Sequence, residues 1–214
     1  MNMTTKEVLN LPRKWYSNQF RYELELLESY LKISQKEILI SRTNYFIGKE
    51  TYEDSINPEN SNLVNFYEGV DDSIFDIDEI FNSYFPNIRR QNEFTLLISH
   101  LEYGTIQLCN NLASEFKVNF RIDRRKGLIK SVYLFLTTEM NLNFESSETA
   151  WKRIFLAYRI RNVIVHSSKG TFSDEELDEY KIKSGLILSA DSNNILLNNM
   201  HNLFRFIEVE LLQK

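Results

Sequence analysis

The chain has 214 residues, 43% of them hydrophobic and 13% aromatic, which excludes global disorder and two full catalytic domains and leaves one globular domain, alone or with an extended arm. Six glycines and three prolines are too few to punctuate a sandwich, a barrel or a doubly wound sheet, so a mainly all-α fold is predicted. A formal net charge of −5 argues against a nonspecific basic nucleic-acid coat but leaves room for a local cationic site.

Residues 15–46 keep Leu24, Leu27, Leu31, Ile38 and Ile40 near helical spacing, which predicts one long helix or two abutting ones. Glu23, Glu25, Lys32 and Lys36 give that stretch a charged solvent face. Residues 48–72 are polar, rich in Asn and acidic side chains, and carry Pro58, so a connecting loop is expected. A short amphipathic segment follows over 73–84, closed by Pro86.

From 87 to 116 a long helical pattern places Leu97, Leu101, Leu108 and Leu112 on one stripe, interrupted by Gly104, where a neighbouring backbone is expected to approach. A basic patch, Arg121, Arg124, Arg125 and Lys126, precedes a helix over 128–140. The next helix begins at Ser146 or Ser147 as cap with Glu148 in its first turn, and runs to about 168 before Gly170. The apolar runs 186–188 and 195–197, around the turn-forming 191–194, predict a small β-hairpin, and 200–212 a final amphipathic helix.

Cys109 is the only cysteine, so no internal disulfide can form; its apolar helical setting predicts a buried thiol in a reducing compartment. The start, MNMTTKEVLNLPRKW, lacks the apolar stretch of a signal peptide, and no run of about 18 apolar residues occurs. A soluble cytoplasmic protein without membrane contact is expected.

His100 and His201 have no second His, Cys or Asp at ligand spacing, and HExxH, CxxC, GxSxG and phosphate-binding glycine loops are absent. Metal-independent chemistry without a cofactor is the resulting expectation. His166 has a more informative neighbourhood. Trp151, Ile154, Tyr158 and Val165 share a helical stripe that also passes through Arg161, and a guanidinium on an apolar seam needs an anionic partner. Glu102 interrupts the other long helix in the series Ile98, Glu102, Thr105, Cys109, which marks it as the facing partner, in a structural salt bridge or in a site. Asn162 lies about 40° from His166 around the helix, Arg159 about 20° and Arg161 about 140°, so spacing alone does not choose the working arginine.

The run Arg161-Asn162-Val163-Ile164-Val165-His166 resembles the Arg-Asn-x-x-x-His form of the R-x4-6-H motif of HEPN domains, a helical superfamily that includes many metal-independent endoribonucleases. The segment IRRQNEFTLLISHLEYGTIQLCNNLA resembles the other core helix of that family, with Glu102 as its acidic residue, and the likeness extends over 72–214 through the hairpin and the closing helix. Residues 1–71 then form an N-terminal helical arm and polar connector without a counterpart. The resemblance implies a HEPN-like helical bundle that cleaves RNA through its own 2′-hydroxyl, giving cyclic 2′,3′-phosphate and 5′-hydroxyl ends. It prefers Arg161 to Arg159 as the residue holding the scissile phosphate, with His166 as general acid or base, Asn162 orienting either, and Glu102 fixing the arginine. It also implies a homodimer with a composite site, a place in antiviral defence or a toxin–antitoxin pair, and an antitoxin or regulatory partner. Arg159, Lys169 and the patch Arg121, Arg124, Arg125 and Lys126 are candidate contacts to the RNA backbone. The alternative is a noncatalytic module of the same fold that binds RNA, a nucleotide or a protein partner.

Overall fold

A computed structural model describes residues 12–54, 62–166 and 171–213. The helical pattern near the N-terminus becomes a 3-10 turn, Pro12–Lys14, a π-helical turn, Tyr16–Phe20, and the long helix α1, Arg21–Gly48. Leu24, Leu27, Leu31 and Ile38 repeat at three and four residues and are buried. Ile40, expected with them, is exposed because it lies about 200° around the helix from Ile38. With Leu26, Ile33 and Ile47 it makes an outer row at seven-residue intervals.

The segment expected as a loop contains a three-stranded antiparallel sheet: β1, Glu50–Asp54, β2, Asn62–Tyr67, and β3, Val70–Asp71. Tyr52 pairs with Val64, and Tyr67 with Val70 across a tight turn in which Glu68 and Gly69 both take positive φ. Such strands are hard to read from composition, because Val64 is their one buried hydrophobic among the described residues and Asn, Asp and Glu fill most other places. Pro58 and its neighbours over 55–61 lie outside the described residues.

Pro86 does not close the next segment. Asp76 caps a helical turn, Ile77–Glu79, by accepting from the Glu79 amide; a π-helical turn, Ile80–Tyr84, follows, and α2, Phe85–Phe116, continues directly. The Phe85 amide donates to the Ile80 carbonyl, so the hydrogen-bond register shifts just before the proline, which then occupies a first turn where no donor is needed.

Helix α2 is the central element. Phe94, Leu97, Ile98, Leu101, Leu108, Cys109 and Leu112 are buried on one side of it, against α3, Leu128–Leu134, α4, Glu148–His166, and α6, Ser192–Leu212. Gly104 meets a ring rather than a backbone: a Cβ there would sit 2.4 Å from Cζ of Phe20. Phe20 in turn stacks on Trp15 at 4.6 Å and meets Phe204 of α6 edge-on at 4.7 Å. Within the stretch described above as an arm, Trp15 to Leu31 therefore contribute to the main core, while Tyr45 near the end of α1 packs on Phe81 and Tyr67 beside the sheet.

A π-helical turn, Phe135–Glu139, extends α3, and a 3-10 turn, Glu145–Ser147, leads into α4. The Ser147 hydroxyl donates to the Phe144 carbonyl instead of capping α4. The hairpin exists in a different register from the one expected: β4, Ile182–Lys183, pairs with β5, Ile187–Leu188, around Gly185 and Leu186 at positive φ. Residues 195–197 belong to α6, which begins eight residues before the expected start. A short helix absent from the sequence reading, α5, Asp174–Asp178, is held by a capping box between Ser173 and Glu176. Among the described residues no helix is long and apolar enough to cross a membrane.

Candidate functional site

Helices α2 and α4 bring together the two polar interruptions of their apolar stripes. Arg161 Nη2 donates to Glu102 Oε2 over 2.8 Å, and the two side chains keep only 16% and 20% of their exposure. A charge-assisted bond in so desolvated a place is worth more than a surface pair, and losing either partner strands the other. Arg161 Nη1 donates to Asn162 Oδ1 at 2.9 Å, and the guanidinium carbon lies 5.2 Å from the ring centroid of Tyr158, one turn back on α4. The Nε of Arg161 is buried with no acceptor among the described residues.

Tyr158 is the member of this cluster that spacing arguments place only in an apolar stripe. Burial raises its phenol pKa, and the negative charge of the neighbouring Glu102 carboxylate raises it further. The i,i+3 relation of Tyr158 to Arg161 was the available signal. Glu102, Tyr158, Arg161 and Asn162 thus form one connected set at the junction of two helices.

His166 is the last described residue of α4 and is exposed. The other histidines have different settings. His201 Nδ1 lies 2.8 Å from the Tyr16 hydroxyl, and burial holds its pKa below the ordinary value; His100 is half-buried on α2. No group of three or more His, Cys, Asp and Glu side chains converges for metal binding among the described residues.

The remaining cations are placed apart from this cluster. Arg159 donates to Glu176 Oε1 at 2.5 Å and to the Thr171 carbonyl at 3.2 Å, and covers the Phe172 ring, so it ties α5 to α4. Its hydrogen bond is the main cause of a lowered pKa for Glu176. An RNA contact from Arg159 would compete with that carboxylate. Arg121, Arg124, Arg125 and Lys126 are exposed on the loop between α2 and α3, around Asp123, which lies 3.8 Å from the Lys126 ammonium. That loop leaves α2 roughly 21 Å along the helix from Glu102. Lys169, with 167, 168 and 170, lies outside the described residues.

No protein-family model, no curated protein and no solved structure matches this chain.

Proposed function

We propose that the chain is a metal-independent endoribonuclease whose site is built on Arg161, Asn162 and His166 of α4 and on Glu102 of α2. The observation that carries this reading is an exposed histidine following, on the same helix, a guanidinium–amide pair that a carboxylate from the next helix holds in place. RNA brings its own nucleophile. His166 takes the proton of the 2′-hydroxyl as its oxygen attacks phosphorus, Arg161 and Asn162 face the developing negative charge, and the 5′-oxygen leaves with a proton from a second acid. The products are a cyclic 2′,3′-phosphate and a 5′-hydroxyl. One chain offers one such histidine, so the second acid comes from His166 of another copy in a homodimer with a composite site.

Glu102 acts through Arg161 and is a positioning residue; the tightness of their pairing aims the guanidinium rather than leaving it to sample solvent. The basic loop residues Arg121, Arg124, Arg125 and Lys126 hold the RNA backbone at a distance from the cut. The setting that fits is a cytoplasmic toxin or defence effector restrained by an antitoxin or regulatory partner.

A second reading is favoured by one specific observation: the guanidinium of Arg161 already has Glu102, Asn162 and Tyr158 as neighbours. On that reading the cluster is a helix clamp in a noncatalytic module that binds RNA, a nucleotide or a protein. The two part in one experiment. Purified chain is incubated with total RNA in excess chelator, alongside His166→Ala and Arg161→Ala. The nuclease reading expects cleavage by wild type and at least hundredfold slower cleavage by both variants; the clamp reading expects intact RNA throughout and a stability loss in Arg161→Ala alone.

A further inference from the structure

Helix α1 is apolar on two sides. Leu24, Leu27, Leu31 and Ile38 turn inward, while Leu26, Ile33, Ile40 and Ile47 stand on the far side as a row, between 56% and 79% exposed. Tyr22 and Tyr30 border the row and are exposed as well. A seven-residue step drifts only about 20° around a straight helix at each repeat, so the row runs as one ridge along most of the 28 residues of α1. A helix lying on a protein surface ordinarily carries polar and charged side chains there. These six side chains together expose on the order of 700 Å², more than the largest apolar patch of a typical monomer and close to what one partner brings to a standard interface.

The charges beside the row indicate its partner. Between the rungs Ile33 and Ile40, Lys36 lies about 50° to one side of the ridge and Glu37 about 50° to the other. Lys32 is on the Lys36 side, and all three are exposed. Glu37 also pairs with Arg89 of its own chain and Lys32 with Glu28, but such surface pairs contribute little and exchange readily. When a second copy of α1 lies parallel to the first, about a two-fold along the helices, the Lys36 flank of each faces the Glu37 flank of the other, and two symmetric ion pairs border the seam. Each rung then meets its own counterpart, Ile33 on Ile33 and Ile40 on Ile40, and β-branched residues in such a row favour two parallel strands. The antiparallel pairing that matches all four rungs sets Leu26 on Ile47 and Ile33 on Ile40, but it brings Lys36 to Lys36 and Glu37 to Glu37, where like charges repel. Ser29, Lys36 and Thr43, the alternate positions of the seam, are polar, so the contact is weaker than that of a permanent coiled coil.

From this pattern we infer that the outer face of α1 is an interface for a second copy of this chain, a parallel two-helix seam on Leu26, Ile33, Ile40 and Ile47 with Lys36 and Glu37 paired across it. Neither Arg161 nor His166 lies on α1, so this contact is separate from the one that brings two His166 side chains together in the ribonuclease reading, and it stands without that reading. Chains that make this contact alone form a dimer. Chains that make both contacts form at least a tetramer.

Sedimentation of the full chain at about 100 µM tests it. Wild type is expected to be a dimer, or a tetramer where the His166 contact also forms, and Ile33→Asp/Ile40→Asp, which leaves the buried face of α1 untouched, is expected to halve that mass. Lys36→Glu is expected to weaken association by about threefold or more, and the exchange Lys36→Glu/Glu37→Lys to recover it. The direction of pairing is read by oxidation. The native Cys109 is buried, and a disulfide needs Cα atoms within about 7 Å, so Ile33→Cys is expected to give a disulfide-linked dimer and Lys152→Cys, on exposed α4 surface, none. The inference is overturned if wild type is a monomer, if Ile33→Asp/Ile40→Asp keeps the wild-type mass, if the charge exchange associates no better than Lys36→Glu, or if Ile33→Cys crosslinks no more than Lys152→Cys.

Discussion

Arg161 on α4 donates to Glu102 on α2 across 2.8 Å, joining the two helices at the point where each apolar stripe is broken by a charge. Because both side chains keep a little exposure, 16% and 20%, the cost of removing one partner falls below the range for a fully buried pair. Glu102→Ala is expected to lower unfolding free energy by about 2 kcal/mol in urea, and Arg161→Ala by a similar amount. The double variant should lose clearly less than the sum, giving a coupling of about 1 kcal/mol or more. Additive losses would mean that the pair is solvated and positions nothing.

Gly104 sits against the Cζ end of the Phe20 ring, with room for a hydrogen and no more. Alanine is the better helix former by about 1 kcal/mol, yet its methyl would lie 2.4 and 2.5 Å from two ring carbons. The steric term is the larger one. Gly104→Ala is expected to destabilise the protein by about 1–3 kcal/mol, and pairing it with Phe20→Leu should recover part of that loss. The check is a chemical denaturation series on the two single variants and the double.

His201 introduces a pH dependence whose sign follows from its environment. Burial, the largest cause, depresses its folded-state pKa below the ordinary 6.5. The unfolded chain then binds the proton more readily, so the contribution to stability is complete above pH 6.5 and is lost as the pH falls from 6.5 toward the depressed folded value. The Tm of wild type is expected to drop more between pH 7.5 and 5.5 than that of His201→Gln. Equal drops would assign the acid sensitivity to carboxylates.

Cys109 lies on the buried face of α2, fully enclosed, and burial pushes its thiol well above the usual range. Thiolate is the reactive species, so native protein is expected to resist a thiol-specific chromogenic reagent at pH 8 and to release one equivalent only in denaturant. Rapid labelling of the native protein would contradict the placement of this face of α2.

Much of this arrangement is legible in the residues themselves. Leu97, Leu101, Leu108 and Leu112 recur at helical spacing and all are buried, and the two charges that break the stripes of α2 and α4 do meet. What escapes is set by pairing partners distant in sequence. Spacing from His166 does not choose between Arg159 and Arg161, and they diverge because Glu176 takes one and Glu102 the other. The sheet of β1 to β3 is hidden because its strands bury little, so no period-two stripe survives. The Leu-rich run over 195–197 has the apolar content of a strand and the burial of a helix, and such short runs are ambiguous until their neighbours are known.

The central claim is that Arg161, Asn162, His166 and Glu102 cut RNA through its 2′-hydroxyl. Mapping the fragment ends left after incubation with total RNA in excess chelator tests it most directly. The prediction is cyclic 2′,3′-phosphate and 5′-hydroxyl ends from wild type, and none above background from a folded His166→Ala protein. Intact RNA with folded wild type, 3′-hydroxyl and 5′-phosphate ends, or equal cutting by His166→Ala would contradict it.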